Sequence, residues 1–472
     1  MKDNYFNKIE KFHFVGIGGA GMNPIAQILL KMGYKVSGSD IRRTNILEYL
    51  EKLGAKIYIG HHENNISNDI DVVVYSSAVN PENNPEIIKA KKLRIPIIKR
   101  SVMLAELSRT KKGIAIAGTH GKTTTTYMLG KILTDANIDP TIIVGGIIKN
   151  TNTGARWGES PYIVMEADEY DKSFLYLSPI YEIITNIEPD HLECYGSFEN
   201  IKKAFIEFAN KVPFYGKVAV CIDESTIQEI LPYIESPIIT YSTTLSSSDI
   251  YAKNITIENG FSSFEVIYHG KNLGKVQLSI PGIHNIRNSL GAIAISLELD
   301  VNFEIIKKSL SEFSNVKRRF EIIYEDENVI LIDDYAHHPT EIKATLNAAK
   351  ELKKDYKIVA IFQPHLYSRT LNFSTQFAES LKDADIIVIT EIYAARETPI
   401  EGVSAEIIVA KLKEMGLGDK VFYIQDKEDI PEFIFDKINI DEKYLIISLG
   451  AGDINKYLYE IKEGLGDAQK RV

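Results

Sequence analysis

Residues 113–126, GIAIAGTHGKTTTT, decide how the rest of the chain is read. A short apolar strand runs into Gly118-Thr119-His120-Gly121-Lys122-Thr123-Thr124, and the threonine-rich stretch beyond opens a helix. Glycines at such a place let backbone N–H groups turn toward phosphate oxygens, a lysine reaches the terminal phosphates, and the next hydroxyl suits Mg²⁺. Lys122 and Thr123 are the candidates for those two roles, and Gly118, Thr119, His120, Gly121 and Thr124 complete a candidate nucleotide loop. The usual Walker spacing puts a glycine six residues before the lysine; Ile116 stands there, and Gly118 makes the loop a shorter variant. The alternative is a glycine-rich turn carrying a solvated lysine.

Short apolar strands alternate with helical stretches on both sides of this loop. KFHFVGIG, KVSGSD, DVVVYSSAV and IPIIKR read as strands of a first unit ending near residue 107. The loop opens a second unit, continued by TIIVGG, PYIVMEAD, YEIITNIEPDH and KVAVCID. Residues 240–280 alternate in polarity with frequent turn signals and suggest a small antiparallel insertion. ENVILIDDYAHHP, YKIVAIFQPH, ADIIVITEIY and KYLIISLGAG are strands of a third unit that starts near Arg318. The pattern predicts an α/β protein of three domains, 1–107, 108–317 and 318–472. The first and third are Rossmann-like, and the central one holds the phosphate loop and the insertion. The length of 472 residues, at about 150 per domain, agrees with three.

A formal charge of −10 argues against a nucleic-acid partner, which would ask for basic clusters. No apolar run approaches the ~20 residues that span a bilayer, so no membrane insertion is expected. Cys194 and Cys221 are too few for a disulfide framework, and a reducing cytoplasm is the simplest compartment.

A second glycine loop, Gly16-x-Gly18-x-x-Gly21, follows the first strand, and Asp40 ends the next. The spacing fits a pyrophosphate-bearing ligand at a helix N-terminus; the alternative is tight strand–helix packing. A dehydrogenase needs only this loop and an ATPase only the other. An enzyme that uses ATP to join a nucleotide-linked substrate to something else needs both.

The polar clusters also follow strands. VMEADEYD offers Glu166 as a metal ligand beside the phosphate loop, with Asp168, Glu169 and Asp171 read as a solvated acidic turn. TNIEPDH places Asp190 and His191, the latter a second metal candidate. His284 and Asn285 open a helix, where they suit a nucleobase or ribose, or simple capping. Arg318 and Arg319 stand at the third boundary, where an arginine could steady transferring phosphate. LIDDYAHHPTEI brings Tyr335, His337 and His338, and IFQPHLYSRT brings His365 and Arg369, a pairing that suits an incoming carboxylate.

In order along the chain, AGTHGKTTTT, EADE, TNIEPDH, GIHNIRN, RRFE, DDYAHHPTEI and FQPHLYSRT resemble the Mur ligases of peptidoglycan precursor synthesis. The resemblance implies a carboxylate activated by ATP as an acyl phosphate and captured by an amine. It implies UDP-N-acetylmuramate, L-alanine, ATP and Mg²⁺, and a monomer or weak homo-oligomer is expected. By the same resemblance Gly18, Gly19, Ser76 and Ser77 belong to the sugar-nucleotide site. Lys122, Thr123, Glu166 and His191 handle phosphate and metal, His284 and Asn285 lie by the adenine, and Arg319 reaches the γ-phosphate. Tyr335, His365 and Arg369 receive the amino acid, and His338, or His337 beside it, takes the amine proton. A family member that attaches a preformed tripeptide is the nearest alternative, which Tyr170 favours; the compact His365/Arg369 pocket favours one small amino acid. Two rivals lie outside the family. A nicotinamide oxidoreductase leaves Lys122 without a role, and a non-catalytic sensor of ATP and UDP-sugars leaves Glu166, His191 and Arg369 without one.

Overall fold

The structure is a computed structural model and describes residues 5–148, 153–395, 397–439 and 442–469. It contains three sheets. The first has strands β1 Lys11–Val15, β2 Lys35–Asp40, β3 Lys56–Ile59, β4 Val72–Tyr75 and β5 Ile97–Lys99. Their order is β3–β2–β1–β4–β5, with each pairing parallel. The connections diverge between β1 and β4, the point where such sheets leave a ligand crevice at their carboxyl ends. Gly16 ends β1 with φ +82°, and Ser76 follows β4 against it: a Cβ on Gly16 would lie 3.2 Å from Ser76 Cβ. IPIIKR is only half a strand, because a helix begins at Arg100 and runs to Arg109.

The central sheet has strands β6 Lys112–Ala117, β7 Thr141–Ile148, β8 Thr153–Arg156, β9 Tyr162–Glu166, β10 Tyr181–Ile184, β11 Lys217–Cys221, β12 Ile238–Ser242, β13 Ile250–Glu258, β14 Phe261–Tyr268 and β15 Lys271–Leu278. The order is β15–β14–β13–β12–β11–β10–β6–β9–β7–β8. Strand β6 lies between parallel neighbours β9 and β10, and Ile114, Ala115, Ile116 and Ala117 are all fully buried. Burial on both faces explains why this strand reads as an unbroken apolar run rather than an alternation. Residues 240–280 supply the expected antiparallel strands, and these prolong this sheet. Strand β12 joins β11 and β13 in parallel. Strands β13, β14 and β15 are linked by Asn259-Gly260 and His269-Gly270, all four with positive φ. A two-residue link with both φ positive is the hairpin turn whose twist matches antiparallel strands.

The third sheet has strands β16 Glu321–Glu325, β17 Val329–Asp334, β18 Lys357–Phe362, β19 Ile386–Ile389, β20 Val421–Tyr423 and β21 Tyr444–Leu449 in the order β16–β17–β21–β18–β19–β20. It is parallel except for the edge strand β16, which the sequence reading did not anticipate. Ile330, Ile332, Ile358, Ala360, Leu445 and Ile447 face one apolar layer, and Leu331, Val359, Ile361 and Ile446 the other. That period of two, apolar in both phases, is what a sheet covered by helices on both faces requires.

By compactness the chain forms two units, one of residues 1–255, 263–278 and 285–316, the other of residues 256–262, 279–284 and 317–472. The first carries both glycine loops. Among the described residues no helix is long and apolar enough to cross a membrane.

Candidate functional site

Strand β6 delivers the phosphate loop, and the helix Lys122–Asp135 starts directly after it. Two backbone features make the loop specific to glycine. Gly118 has φ +134°, and a Cβ there would overlap Thr185 Oγ1 and stand 3.0 Å from Asn186 O. Gly121 caps the helix with φ +83°, and its Cβ would lie 2.5 Å from Asn288 Oδ1. The floor of the loop comes from the end of β10: Thr185 Oγ1 donates to His120 O at 2.6 Å, and His120 N donates to Asn186 Oδ1 at 2.8 Å. The loop backbone is thus fixed by the side chains of Thr185 and Asn186, and the helix starts directly from it.

Lys122 lies within this cradle. Its ammonium donates to Gly118 O at 2.5 Å and Thr119 O at 3.1 Å, and pairs with Glu169 at 2.8 Å. Burial alone would lower the lysine's pKa, but the carboxylates of Glu169, Asp168 and Glu166 outweigh it and hold the group above its usual value. Lys122 is therefore a fixed cation. Glu169, read from the sequence as part of a solvated turn, is instead buried and is the internal counter-charge of this lysine. No spacing rule marks that role, because the pairing bridges two loops.

Glu166 ends β9, and its Oε1 accepts from Gly145 N at 2.8 Å. Gly146, the next residue of β7, presses on Thr123: a Cβ there would be 3.1 Å from Thr123 Cγ2. Glu166 and Thr123 therefore flank one strand end and offer the carboxylate and hydroxyl oxygens that a hard cation takes. His191 is held in the left-handed region at φ +55°, its ring 5.1 Å from that of Tyr170, and its charge is felt at Glu169. The three expected donors gather around the Lys122–Glu169 pair.

Asn285, 3% exposed, lies in the first turn of the helix Ile283–Glu298 together with His284. Asn288, one turn on, donates to Asn285 Oδ1 at 3.4 Å and abuts Gly121. Asn288 escaped the sequence reading, although its i, i+3 spacing from Asn285 was the available signal.

In the first sheet Gly18, Gly19 and Ser76 converge on the carboxyl ends of β1 and β4, with Ser77 exposed beside them. Gly18 N donates to Asp40 Oδ2 at 2.9 Å, and Ile41 N to Asp40 Oδ1 at 2.8 Å. Asp40 is thus tied to the glycine loop itself.

In the second unit Tyr335, His337, His365 and Arg369 meet at the ends of β17 and β18. His337 lies 5.3 Å ring to ring from Tyr335 and 5.6 Å from His365. His365 stacks on Tyr393 at 6.0 Å, a ring the sequence reading missed. Nδ1 of His337 faces Tyr335 O at 3.0 Å and Glu341 at 3.2 Å, which assigns the ring proton to that nitrogen. Burial, opposed by Glu341 and reinforced by Arg369, drives the His337 pKa down to about 3, so the ring is neutral. His338 is placed differently: 4% exposed, it caps the helix Pro339–Leu352 and sets its ring 5.2 Å from Phe373. Arg319 lies over the Tyr335 ring at 5.3 Å, and Arg318 ties Gly450 O and Gly452 O at 2.6 and 3.0 Å. Burial, against the pull of Arg319, pushes Asp334 up to about 6.

Comparison with known proteins gives three family models in register with the three sheets. A model described as Mur ligase family, catalytic domain, matches residues 11–112; the Mur ligase middle domain matches 116–296; and the Mur ligase, glutamate ligase domain matches 318–452. The UDP-N-acetylmuramate–L-alanine ligase of a Sulfurihydrogenibium species is 49% identical over 95% of this chain and 96% of its own length. That of Aquifex aeolicus is 47% identical over 96% and 97%. Among solved structures, the UDP-N-acetylmuramate-alanine ligase of Thermotoga maritima superposes with TM-score 0.82 at 32% identity, covering 97% of this chain and 99% of that one. A murein peptide ligase from Psychrobacter arcticus gives 0.71 at 26% identity, again with 97% and 99% covered.

Proposed function

The chain belongs to the Mur ligase family, and from that premise we propose that it joins L-alanine to UDP-N-acetylmuramate at the expense of ATP. The observation that carries the reading is the presence, in one unit, of two strand-end glycine loops for two phosphate-bearing ligands, one of them holding Lys122 as a permanent cation. Identity of 46–49% with alanine ligases over nearly the full chain supports L-alanine rather than a tripeptide as the amine. A nicotinamide role is not needed for Asp40, which is occupied by the amides of Gly18 and Ile41.

The sugar nucleotide lies across Gly18, Gly19, Ser76 and Ser77, and ATP lies along Gly118–Thr124 with Asn285 and His284 toward its base. The lactyl carboxylate attacks the γ-phosphorus; the P–O bond to the β-phosphate breaks and ADP leaves. Lys122 stabilises the charge spread over the equatorial oxygens, and Arg319 is assigned the same role. Thr123, Glu166 and His191 would hold Mg²⁺, which when bound would supply further neutralisation of phosphate charge. The free amine then attacks the acyl carbon, the C–O bond to phosphate breaks, and the departing phosphate takes up the amine's proton. Tyr335, His337, His365 and Arg369 receive the amino acid, Arg369 its carboxylate. His337 is neutral and presents Nε2 as an acceptor, but a ring of pKa about 3 is a poor base for an ammonium. It orients the amine rather than carrying its proton away, and His338, buried as a helix cap, is less suited still. The substrate, nucleotide and amino-acid domains are residues 1–107, 108–317 and 318–472, in a cytoplasmic enzyme of monomeric or weakly associating form.

Phosphate release with ATP, Mg²⁺ and UDP-N-acetylmuramate tests this directly. Release that depends on L-alanine is the expected outcome. Release with L-alanyl-γ-D-glutamyl-diamino acid alone reassigns the amine, and release with neither removes the ligase activity.

A further inference from the structure

Arg100 opens the helix that follows β5, and its side chain doubles back over the first glycine loop. A Cβ on Gly21 would stand 2.8 Å from Arg100 Cδ and 3.0 Å from Nη1. Gly21 has no positive φ, and what a side chain there would meet is the far end of the Arg100 side chain, which places the guanidinium against the third glycine of Gly16-x-Gly18-x-x-Gly21. On its other side Arg100 Nη2 donates to Asp168 Oδ2 at 3.3 Å. That is the one hydrogen bond its five N–H donors make among the described residues, and the side chain is 20% exposed.

Asp168 and Glu169 are consecutive. Glu169 pairs with Lys122 of the ATP loop at 2.8 Å, and Asp168 pairs with Arg100, which lies over the sugar-nucleotide loop. Arg100 and Lys122 are thus held by consecutive acids, and Lys99, beside Arg100, pairs with Asp171 of the same stretch at 3.1 Å. A single half-exposed contact at 3.3 Å is a weak ion pair. An arginine with most of its fork uncommitted, flat against a phosphate-type loop, is arranged for a bidentate anion.

We propose that Arg100 binds the anionic part of the sugar nucleotide, its diphosphate or the carboxylate it carries, and that Asp168 holds the guanidinium in place until that anion takes it over. This rests on the ligase reading given above and adds to it a residue that touches substrate.

The test is calorimetric binding of UDP, UDP-N-acetylglucosamine and UDP-N-acetylmuramate to the full chain without ATP, with steady-state kinetics alongside. Arg100→Met is expected to weaken UDP-N-acetylmuramate roughly tenfold to a hundredfold, the span of one charged hydrogen-bonded contact. The KM values for ATP and L-alanine should stay within about threefold. Arg100→Lys should recover part of the loss, and Asp168→Asn should tighten binding, since no internal pair has then to break. Equal losses for all three ligands place the guanidinium on the diphosphate; a loss confined to UDP-N-acetylmuramate places it on the carboxylate. A folded Arg100→Met protein that binds UDP-N-acetylmuramate within about threefold of wild type overturns the proposal. If that variant does not fold, Arg100→Gln decides by the same threshold. Wild-type protein that binds the nucleotides but releases no phosphate sinks the ligase reading alone.

Discussion

Glu182 sits in the middle of the central sheet, on β10, opposite Ala115 of β6 and Val218 of β11. Its side chain is fully buried, and neither carboxylate oxygen has a hydrogen-bond partner among the described residues. Burial, opposed only by Lys211, raises its pKa well above the ordinary 4.5. A buried acid with no partner costs about 1–3 kcal/mol even when neutral. Ionisation adds a pH-dependent part. The unfolded chain releases this proton near pH 4.5 and the folded chain retains it, so the folded state binds more protons. Stability is then full below 4.5 and falls as pH rises toward the elevated folded value, by about 1.4 kcal/mol per pH unit for this one group. Glu182→Met, of similar volume, removes both terms. The variant should be more stable than wild type by about 1–3 kcal/mol at pH 4.5–5, and the advantage should grow with pH. Urea unfolding at several pH values, followed by circular dichroism, reads the difference. Asp223, which hydroxyls and amides of residues 242–244 hold at about 2, gives the opposite slope, but only below its ordinary 3.8. Because Asp223 is common to both proteins, it cancels. A Glu182→Met protein less stable than wild type at pH 7, or a difference flat with pH, would refute the reasoning.

Three further outcomes follow from particular contacts. Gly118→Ala forces a Cβ against Thr185 Oγ1 at φ +134°, and should abolish ATP binding, or folding of the loop, while ligand-free Gly54→Ala, with open space around it, costs about 1 kcal/mol or a little more in strain; nucleotide titration and thermal melting separate the two. Arg318→Met leaves Asp333, 1% exposed, without its cation and frees the Gly450 and Gly452 carbonyls; destabilisation of about 3–5 kcal/mol is expected, and Arg318→Met with Asp333→Asn should recover part of it on chemical denaturation. His337→Asn should raise the KM for L-alanine at least tenfold, yet the pH profile of kcat between 5.5 and 8 should keep its shape, because a group with pKa about 3 does not titrate there; a limb lost from that profile would contradict the neutral ring.

Much of the fold is written in local signals. The unbroken run Ile114–Ala117 and the glycines at 118 and 121 announce a buried strand, a phosphate loop and a helix without reference to anything distant. The Asn259-Gly260 and His269-Gly270 turns likewise announce hairpins. What they cannot announce is which sheet the hairpins extend, since backbone hydrogen bonding to β12 carries no side-chain code; that the antiparallel stretch continues the central sheet is visible only in the fold.

The same division runs through the site. Sequence alone singled out the residue types proposed for the chemistry at strand ends: Lys122 and Thr123, Glu166, Tyr335, His365 and Arg369. Tertiary structure alone decided the pairings: Glu169 with Lys122, Asp168 with Arg100, Asn288 against Gly121, Tyr393 beneath His365. It also separated His337, neutral and facing its neighbours, from His338, buried as a cap one residue later. Catalytic residue types recur at fixed offsets because a strand–loop–helix turn is local geometry. A counter-charge is chosen by proximity after folding and by the low dielectric around it, and two residues tens of positions apart leave no pattern in the chain that says they will meet.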